Sequence, residues 1–294
     1  MSSSVFNLKS DRVVTRRNLL LICSLFLAAV LFVVWYGLGL VERQLRQQTL
    51  EQLESVRDTT VRSLYSIWLG GLFEDTSNWA SDPTFIRNVQ LLMQGGQSQV
   101  ELMANPAQDH IRDFFRERLQ RHDALGIFVI SPDYVNLASM RNANLGVTSL
   151  IAEHRPSRLR AVFKGQVQLA PPLPSDVPLP DSQGLMTPGY PTMFVLVPIY
   201  DQQGQQIAAL AVRLDPYDEF SRIAQGGTFG DTGETYFIDS NALMLTESRF
   251  HEDLRQLGLI REGQFSILGL KIKQFVPGAS QGGALADTCC EARG

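Results

Sequence analysis

The sequence predicts an α+β fold carried on an amino-terminal membrane helix, and three observations predict it. Residues 19–40, LLLICSLFLAAVLFVVWYGLGL, form an uncharged run long enough, at about 1.5 Å rise per residue, to span the ~30 Å hydrocarbon core of a bilayer. Beyond it, apolar residues recur at helical spacings as far as Leu119. The second half holds the clearest strands, TMFVLVPIYD and QIAALAVRLD, which are separated by Gln202-Gln203-Gly204-Gln205 and so make a long hairpin. With 44% hydrophobic and 19% charged residues, the composition is that of an ordinary folded protein.

The apolar run is too long for a cleaved signal peptide, whose apolar region is typically about 7–15 residues, and it continues into Val41-Glu42-Arg43-Gln44 without a small-residue cleavage site. Trp35 and Tyr36 lie near one end, where aromatic rings favour the interface. Lys9, Arg12, Arg16 and Arg17 precede the run against a single Asp11. Residues 1–17 are therefore expected in the cytoplasm, residues 18–41 in the inner membrane, and the rest outside. The formal charge is −4, and because residues 1–17 hold four basic groups and one acidic one, the remainder carries −7. An acidic exterior argues against nucleic acid as a partner. The three cysteines, Cys23, Cys289 and Cys290, cannot form a disulfide framework, so the core must supply the stability.

From Val41 to Trp68, Leu45, Leu53, Val56, Leu64 and Ile67 recur at helical spacing, and no Gly or Pro intervenes until Gly70-Gly71. The narrow apolar face fits a stalk that pairs with its twin, or a helix laid across a sheet. Ser81-Asp82-Pro83 is a cap with proline early in the helix, and Phe85, Ile86, Val89, Leu92 and Met93 carry the period to Gly95-Gly96. Asn105-Pro106 opens a further helix with Ile111, Phe114, Phe115 and Leu119 on one side. LGIFVIS (125–131), a Pro132-Asp133 turn and YVNLASM (134–140) predict two strands in a tight connection. A helical stretch at 149–164, interrupted by Pro156, precedes a strand at 166–170. The proline-rich segment 171–191 is long for a loop in a compact domain and predicts an extended lid or rim. Further on, 234–238 and 243–247 predict a short hairpin turned by Asp239, Ser240 and Asn241.

Catalytic constellations are missing. His110, His122, His154 and His251 are dispersed without metal-ligand spacing, and the sequence has no P-loop, G-x-S-x-G or C-x-x-C. The chain is accordingly expected to be no enzyme and to need no cofactor or metal. Asp215, Asp218 and Glu219 cluster where a strand runs into a helix amino terminus, where acidic groups complement the dipole. Arg141 follows the strand 134–140 at the rim of any pocket there, and a guanidinium can hold a carboxylate through two parallel hydrogen bonds.

The element order, the stretch PTMFVLVPIYDQQGQQIAALAVRLDPYDEF and the stretch GDTGETYFIDSNALMLTESRF (230–250) resemble the double Cache sensor domains of bacterial chemoreceptors, histidine kinases and cyclases. The resemblance covers residues 41–273. It implies a long membrane-emergent helix packed on a PAS-like antiparallel sheet, a ligand-binding distal module within 42–225, and a smaller proximal module that opens at the Gly-Asp-Thr-Gly-Glu-Thr-Tyr stretch and is only partial here, 226–273. Such proteins continue into a second membrane helix and a cytoplasmic output domain. Residues 274–294 read instead as an irregular tail, which implies a truncated member or one whose output lies on another chain. In the amino-acid-binding branch, an Arg-x-Trp-Tyr signature holds the ligand carboxylate and an Asp on the last strand holds its amine. Here the helix reads IAEHRPSRLRAVF and the strand ALAVRLD places Arg213 near the acidic position. The resemblance therefore implies an anionic ligand, a small organic acid, bound by Arg141, Arg213 and Arg155 with Tyr134 and Tyr190 adding contacts. The bland alternative pairs these arginines with Asp133, Glu153 or Asp215 on the surface. The functional expectation is a membrane-anchored extracytoplasmic sensory input domain, homodimeric through its stalk helix. The alternative is a periplasmic interaction module that binds a protein through the proline-rich lid.

Overall fold

The computed structural model describes residues 8–181, 184–228, 233–261 and 263–272. The chain forms two units, Met1–Val56 and Arg57–Gly294. The first consists of most of helix α1 (Leu8–Arg62). Among the described residues this is the one helix long and apolar enough to cross a membrane, and none of its apolar window is buried within the protein. Leu25, Phe26 and Trp35 present their side chains outward, as a lipid-facing helix requires.

In the second unit a π-helical segment, Ser63–Leu69, leads into α2 (Gly70–Ala80), so the glycine pair does not end the helix. Gly70 keeps helical dihedrals of −57° and −49°. Burial of Leu64, Leu69, Leu72 and Ala80 in one core outweighs the ~1 kcal/mol that each helical glycine costs. The wider π turn, with its extra residue, is a known way to shift a helical face. Helix α3 (Pro83–Gln94) starts as expected, Asp82 accepting from the backbone N–H groups of Thr84 and Phe85 at 2.8 and 3.1 Å. Helix α4 (Gln99–Ala104) carries a capping box of Ser98 and Glu101, a signature present in the sequence as Ser-x-x-Glu. Helix α5 (Ala107–Arg121) follows, opened by the Asn105 side chain accepting from Ala107 N at 3.0 Å.

Strands β1 (Gly126–Ile130) and β2 (Asn136–Ser139) come next, with β2 beginning two residues later than the pattern predicts because Tyr134 sits at a φ of 66° in the turn. Helices α6 (Leu150–His154) and α7 (Pro156–Val162) are divided at Pro156. Then come β3 (Gln168–Pro174), the two-residue strands β4 (Leu179–Pro180) and β5 (Met186–Thr187), and the long hairpin of β6 (Pro191–Tyr200) and β7 (Gln206–Leu214). The proline-rich segment is thus tied down by a miniature hairpin, β4 to β5. The main sheet is antiparallel in the order β2-β1-β7-β6-β3.

Both faces of this sheet are covered. Ile127, Val129, Val195, Leu210 and Val212 meet Leu69, Phe85, Ile111 and Phe115 of the helical layer on one side. Phe128, Ile130, Phe194, Leu196, Ala209 and Ala211 meet Leu150, Ile151, Leu159 and Val162 of α6 and α7 on the other. That is why β6 and β7 read as near-continuous apolar runs. The fold is α+β, as the sequence predicts.

After β7, a π turn (Pro216–Phe220) leads into α8 (Ser221–Gly226), and α9 (His251–Gln256) lies further on. The hairpin expected at 234–247 is reduced to the bridge Ile238↔Met244, with a second bridge Leu243↔Lys271 beside it. Met244 and Leu245 are buried while Ile238 is exposed, and two isolated bridges are too little pairing to make a continuous strand. Gly230, Asp231 and Thr232 of the expected opening stretch lie outside the described residues, as do the expected tail 274–294 with Cys289 and Cys290, and residues 1–7 of the expected cytoplasmic segment.

Candidate functional site

The face of the sheet beneath α6 and α7 carries a buried cation. Arg213, on β7, stands opposite Gly126 of β1 and Phe194 of β6 and is 2% exposed. Its guanidinium lies 4.8 Å from the ring centre of Phe128 and 5.3 Å from that of Phe194. Burial pushes its pKa down, Asp176 opposes this, and the charge of Arg141 adds to it. Arginine remains protonated through such shifts, so the site holds a permanent buried charge.

That charge is met by the proline-rich segment. Nη2 of Arg213 donates to Oδ1 of Asp176 at 2.8 Å, and Nδ2 of Asn144, in the 3-10 turn after β2, donates to Oδ2 at 2.6 Å. Ser175 shapes the turn, its Oγ donating to the Val177 carbonyl at 2.7 Å. Arg141 Nη1 donates to the Pro178 carbonyl at 3.1 Å, and Arg155 Nη2 to the Pro172 carbonyl at 2.9 Å. Arg141, Arg155 and Arg213 therefore all engage one short length of chain, residues 172–178. Among the described residues, neither Arg141 nor Arg213 pairs with the Asp133, Glu153 or Asp215 that a surface pairing would use.

Two buried polar atoms here have no hydrogen-bond partner among the described residues: Nε of Arg213 and Oδ1 of Asn144. Oδ1 of Asn136 is unfilled as well, but Asn136 stands opposite Ile130, at the other end of β1 from the Gly126 that faces Arg213. A buried donor or acceptor left unfilled costs about 1–3 kcal/mol. An acceptor would satisfy the arginine Nε, and a donor the amide oxygen.

Of the two predicted tyrosines, Tyr134 reaches the same face, its ring 5.8 Å from Phe163 at the end of α7. Tyr190 belongs to a different cluster. Its hydroxyl donates to Asp215 at 3.0 Å and its ring stacks on Tyr217 and meets Phe265 edge-on. Burial first, and then Asp215, push the Tyr190 hydroxyl far up, so it stays a donor. Asp215 also caps the π turn by accepting from Tyr217 N at 2.9 Å, the structural role its position predicts.

Beside that cluster lies Glu247, which accepts from Ser266 N at 3.1 Å, Ile267 N at 3.3 Å and Ser266 Oγ at 3.2 Å. His251 Nδ1 also contacts it, while Arg255 Nη2 lies 2.7 Å from His251 Nε2. An arginine can only donate, so Nε2 accepts and the ring proton sits on Nδ1, facing the carboxylate. Burial raises the Glu247 pKa despite these partners.

On the helix-covered side, a groove of about 520 Å³ is lined by Trp68, Leu72, Asp75, His122 and Asp218 among others, and by none of the five predicted ligand residues. Asp176 and Asn144 are the members of this cluster that sequence reasoning missed. Asp176 reads as a turn residue between prolines, and its partner Arg213 is 37 positions away, a pairing no local pattern encodes.

No family model matches the chain, and no curated protein matches it. Among solved structures it is similar to the sensor domain of the V. cholerae histidine kinase DctB, at 16% identity over 73% of this chain and 76% of that one, with a TM-score of 0.46. It is also similar to the E. coli DcuS sensor domain, at 16% identity over 58% of this chain and 96% of that one, with a TM-score of 0.34. The ligand-binding domain of the Campylobacter jejuni chemoreceptor Tlp3, solved with L-valine, shares 13% identity over 69% of this chain and 73% of its own, with a TM-score of 0.39.

Proposed function

We propose that this chain is a sensory input module, anchored by residues 18–41 with residues 1–17 in the cytoplasm and the bulk outside, and that it binds a small organic acid on the α6/α7 face of its sheet. The distal module lies within 42–225 and residues 226–273 form a partial proximal one. The observation that supports this reading is the buried Arg213, with Nε unfilled among the described residues. A ligand carboxylate supplies the acceptor that a guanidinium fork takes in two parallel bonds. No chemistry is required of the site. The ligand acts by binding one arrangement of the module better than another, and α1, with Leu45, Leu50 and Leu53 exposed, offers the dimer seam through which the change is passed on.

Ligand that binds only the native state raises the melting temperature by mass action. Organic acids should therefore raise the Tm of the full chain in detergent, amines should not, and Arg213→Met should remove the response. Stabilisation by amines alone contradicts the ligand class. The engagement of all three arginines with residues 172–178 favours a second reading, a lid fixed as a surface for a protein partner, in which no small molecule shifts Tm. For the topology, protease added to intact spheroplasts should digest the bulk of the chain, and full protection would reverse the orientation.

A further inference from the structure

Resting on the sensor reading, we infer that Asp176 is the lid's own occupant of the anion subsite, so that a ligand carboxylate binds by exchanging with it on Arg213 and Asn144. The two oxygens of this carboxylate are gripped from separate elements, one by β7 through Arg213 at 2.8 Å and the other by the turn after β2 through Asn144 at 2.6 Å. That is how a recognition site holds a free carboxylate, and here the carboxylate belongs to a loop between β3 and β4.

Three features make the resident replaceable. Asp176 uses Nη2 alone, leaving Nε of Arg213 without a partner among the described residues, whereas a ligand free to orient can take both arms of the fork. The two ends of the pair differ in exposure, 3% for the Arg213 side chain and 24% for that of Asp176. The arginine therefore stays buried while the aspartate can turn to water, where its charge is well solvated. The exchange also conserves charge: one carboxylate leaves Arg213 as another arrives, so no buried cation stands alone in either end state. The remaining ties on this turn, Arg141 to the Pro178 carbonyl and Ser175 N to the Tyr190 carbonyl at 3.0 Å, are neutral-acceptor bonds that leave the anion subsite itself to Asp176.

Two consequences follow from competition. The apparent affinity for any carboxylate is reduced by the fraction of molecules in which Asp176 is bound, and ligand binding necessarily frees the turn at 175–178 from Arg213. The ligand would thereby be reported as a change in the lid.

Acetate, a free copy of the aspartate side chain's head, is the direct probe, used on the full chain in detergent. Asp176→Ala should melt below wild type, and millimolar acetate should restore it saturably. Wild type should need at least tenfold more acetate for the same shift, and the double variant Asp176→Ala/Arg213→Met should show no saturable response. Asp176→Asn, which keeps the shape of the side chain, provides the same comparison if the alanine variant does not accumulate. Equal acetate response in wild type and Asp176→Ala, or a response that survives loss of Arg213, overturns the exchange. A screen with succinate and glycine separates the two levels of the argument. If succinate stabilises wild type through Arg213 but binds Asp176→Ala no tighter, the exchange is wrong and the sensor reading stands. If acetate fills Asp176→Ala but no carboxylate shifts wild type, Asp176 occupies the subsite and the organic-acid ligand is wrong. Glycine binding that is lost in Asp176→Ala would make Asp176 an amine anchor and overturn the exchange.

Discussion

Arg213 and Asp176 form an ion pair with unequal ends, and the inequality sets what each substitution costs. Asp176→Ala leaves a guanidinium at 3% exposure with no counter-ion, while Arg213→Met leaves a carboxylate at 24% exposure. Removing one partner of a buried pair costs about 3–5 kcal/mol because the other charge is stranded. Asp176→Ala should therefore lose about 3 kcal/mol in urea denaturation and Arg213→Met markedly less, near 1 kcal/mol; equal losses would show that the arginine reaches water. Glu247 links stability to pH. Burial raises its pKa above the ordinary 4.5, and burial likewise raises that of Asp215 above 3.8. A carboxyl whose folded pKa is raised binds its proton more tightly in the native state, so its contribution is full below the unfolded value and is lost as pH rises through the folded one. Stability should fall as pH rises from about 4.5 through the elevated value, and Glu247→Gln should flatten part of that slope, leaving the part that belongs to Asp215. A slope unchanged in the glutamine variant would place the titration elsewhere.

At the scale of elements, two glycines show how context decides the sign of one substitution. Gly146 holds a φ of +71°, and a Cβ there would come within 2.8 Å of the Gln97 carbonyl oxygen and the Gln99 backbone nitrogen. Both obstacles are backbone, fixed by the start of α4, so Gly146→Ala should cost about 1–3 kcal/mol through strain. Gly71 sits in α2, exposed, with nothing within 4 Å of a new Cβ. Gly71→Ala should raise stability by about 0.5–1 kcal/mol, the usual gain for a helical position. Thermal or urea melts of the two variants test both signs at once. The same contrast explains why Gly70-Gly71 does not stop the helix: the apolar face that α2 buries, through Leu72 and Ala80, is worth more than the helix-forming preference it gives up.

Across the whole molecule, stability should be uneven. Strands β6 and β7 are buried almost throughout and hydrogen-bonded on both sides within the five-stranded sheet. Among its described residues the segment 237–245 forms isolated bridges, Ile238↔Met244 and Leu243↔Lys271, and turn bonds such as Ala242 N to the Asp239 carbonyl, with no continuous ladder on either side, and it exposes Ile238. Opening free energies scale with such local burial and hydrogen bonding. Native-state hydrogen exchange should be faster at 237–245 than at 192–214, and equal protection would mean that the region opens only with the global unfolding of the chain.

The α+β class, the helix starts at Asp82 and Asn105, the break at Pro156 and the β6–β7 hairpin were legible because caps, proline and apolar runs act over a few neighbouring residues. The same local rules misled at Gly70-Gly71, where packing of α2 overrides propensity, and at 234–247, where the alternating pattern gives isolated bridges in place of a hairpin of continuous strands. For the site, the chemistry of Arg141, Arg155 and Arg213 could be read from the sequence, but their partners could not. Which carboxylate meets Arg213 depends on a chain reversal of 37 residues that brings the 175–178 turn onto β7. Sequence by itself therefore determined which segments become helix or strand and which side chains carry charge. Only the tertiary structure decided which charges are buried together, because burial and pairing depend on distance in space, and local periodicity carries no record of it.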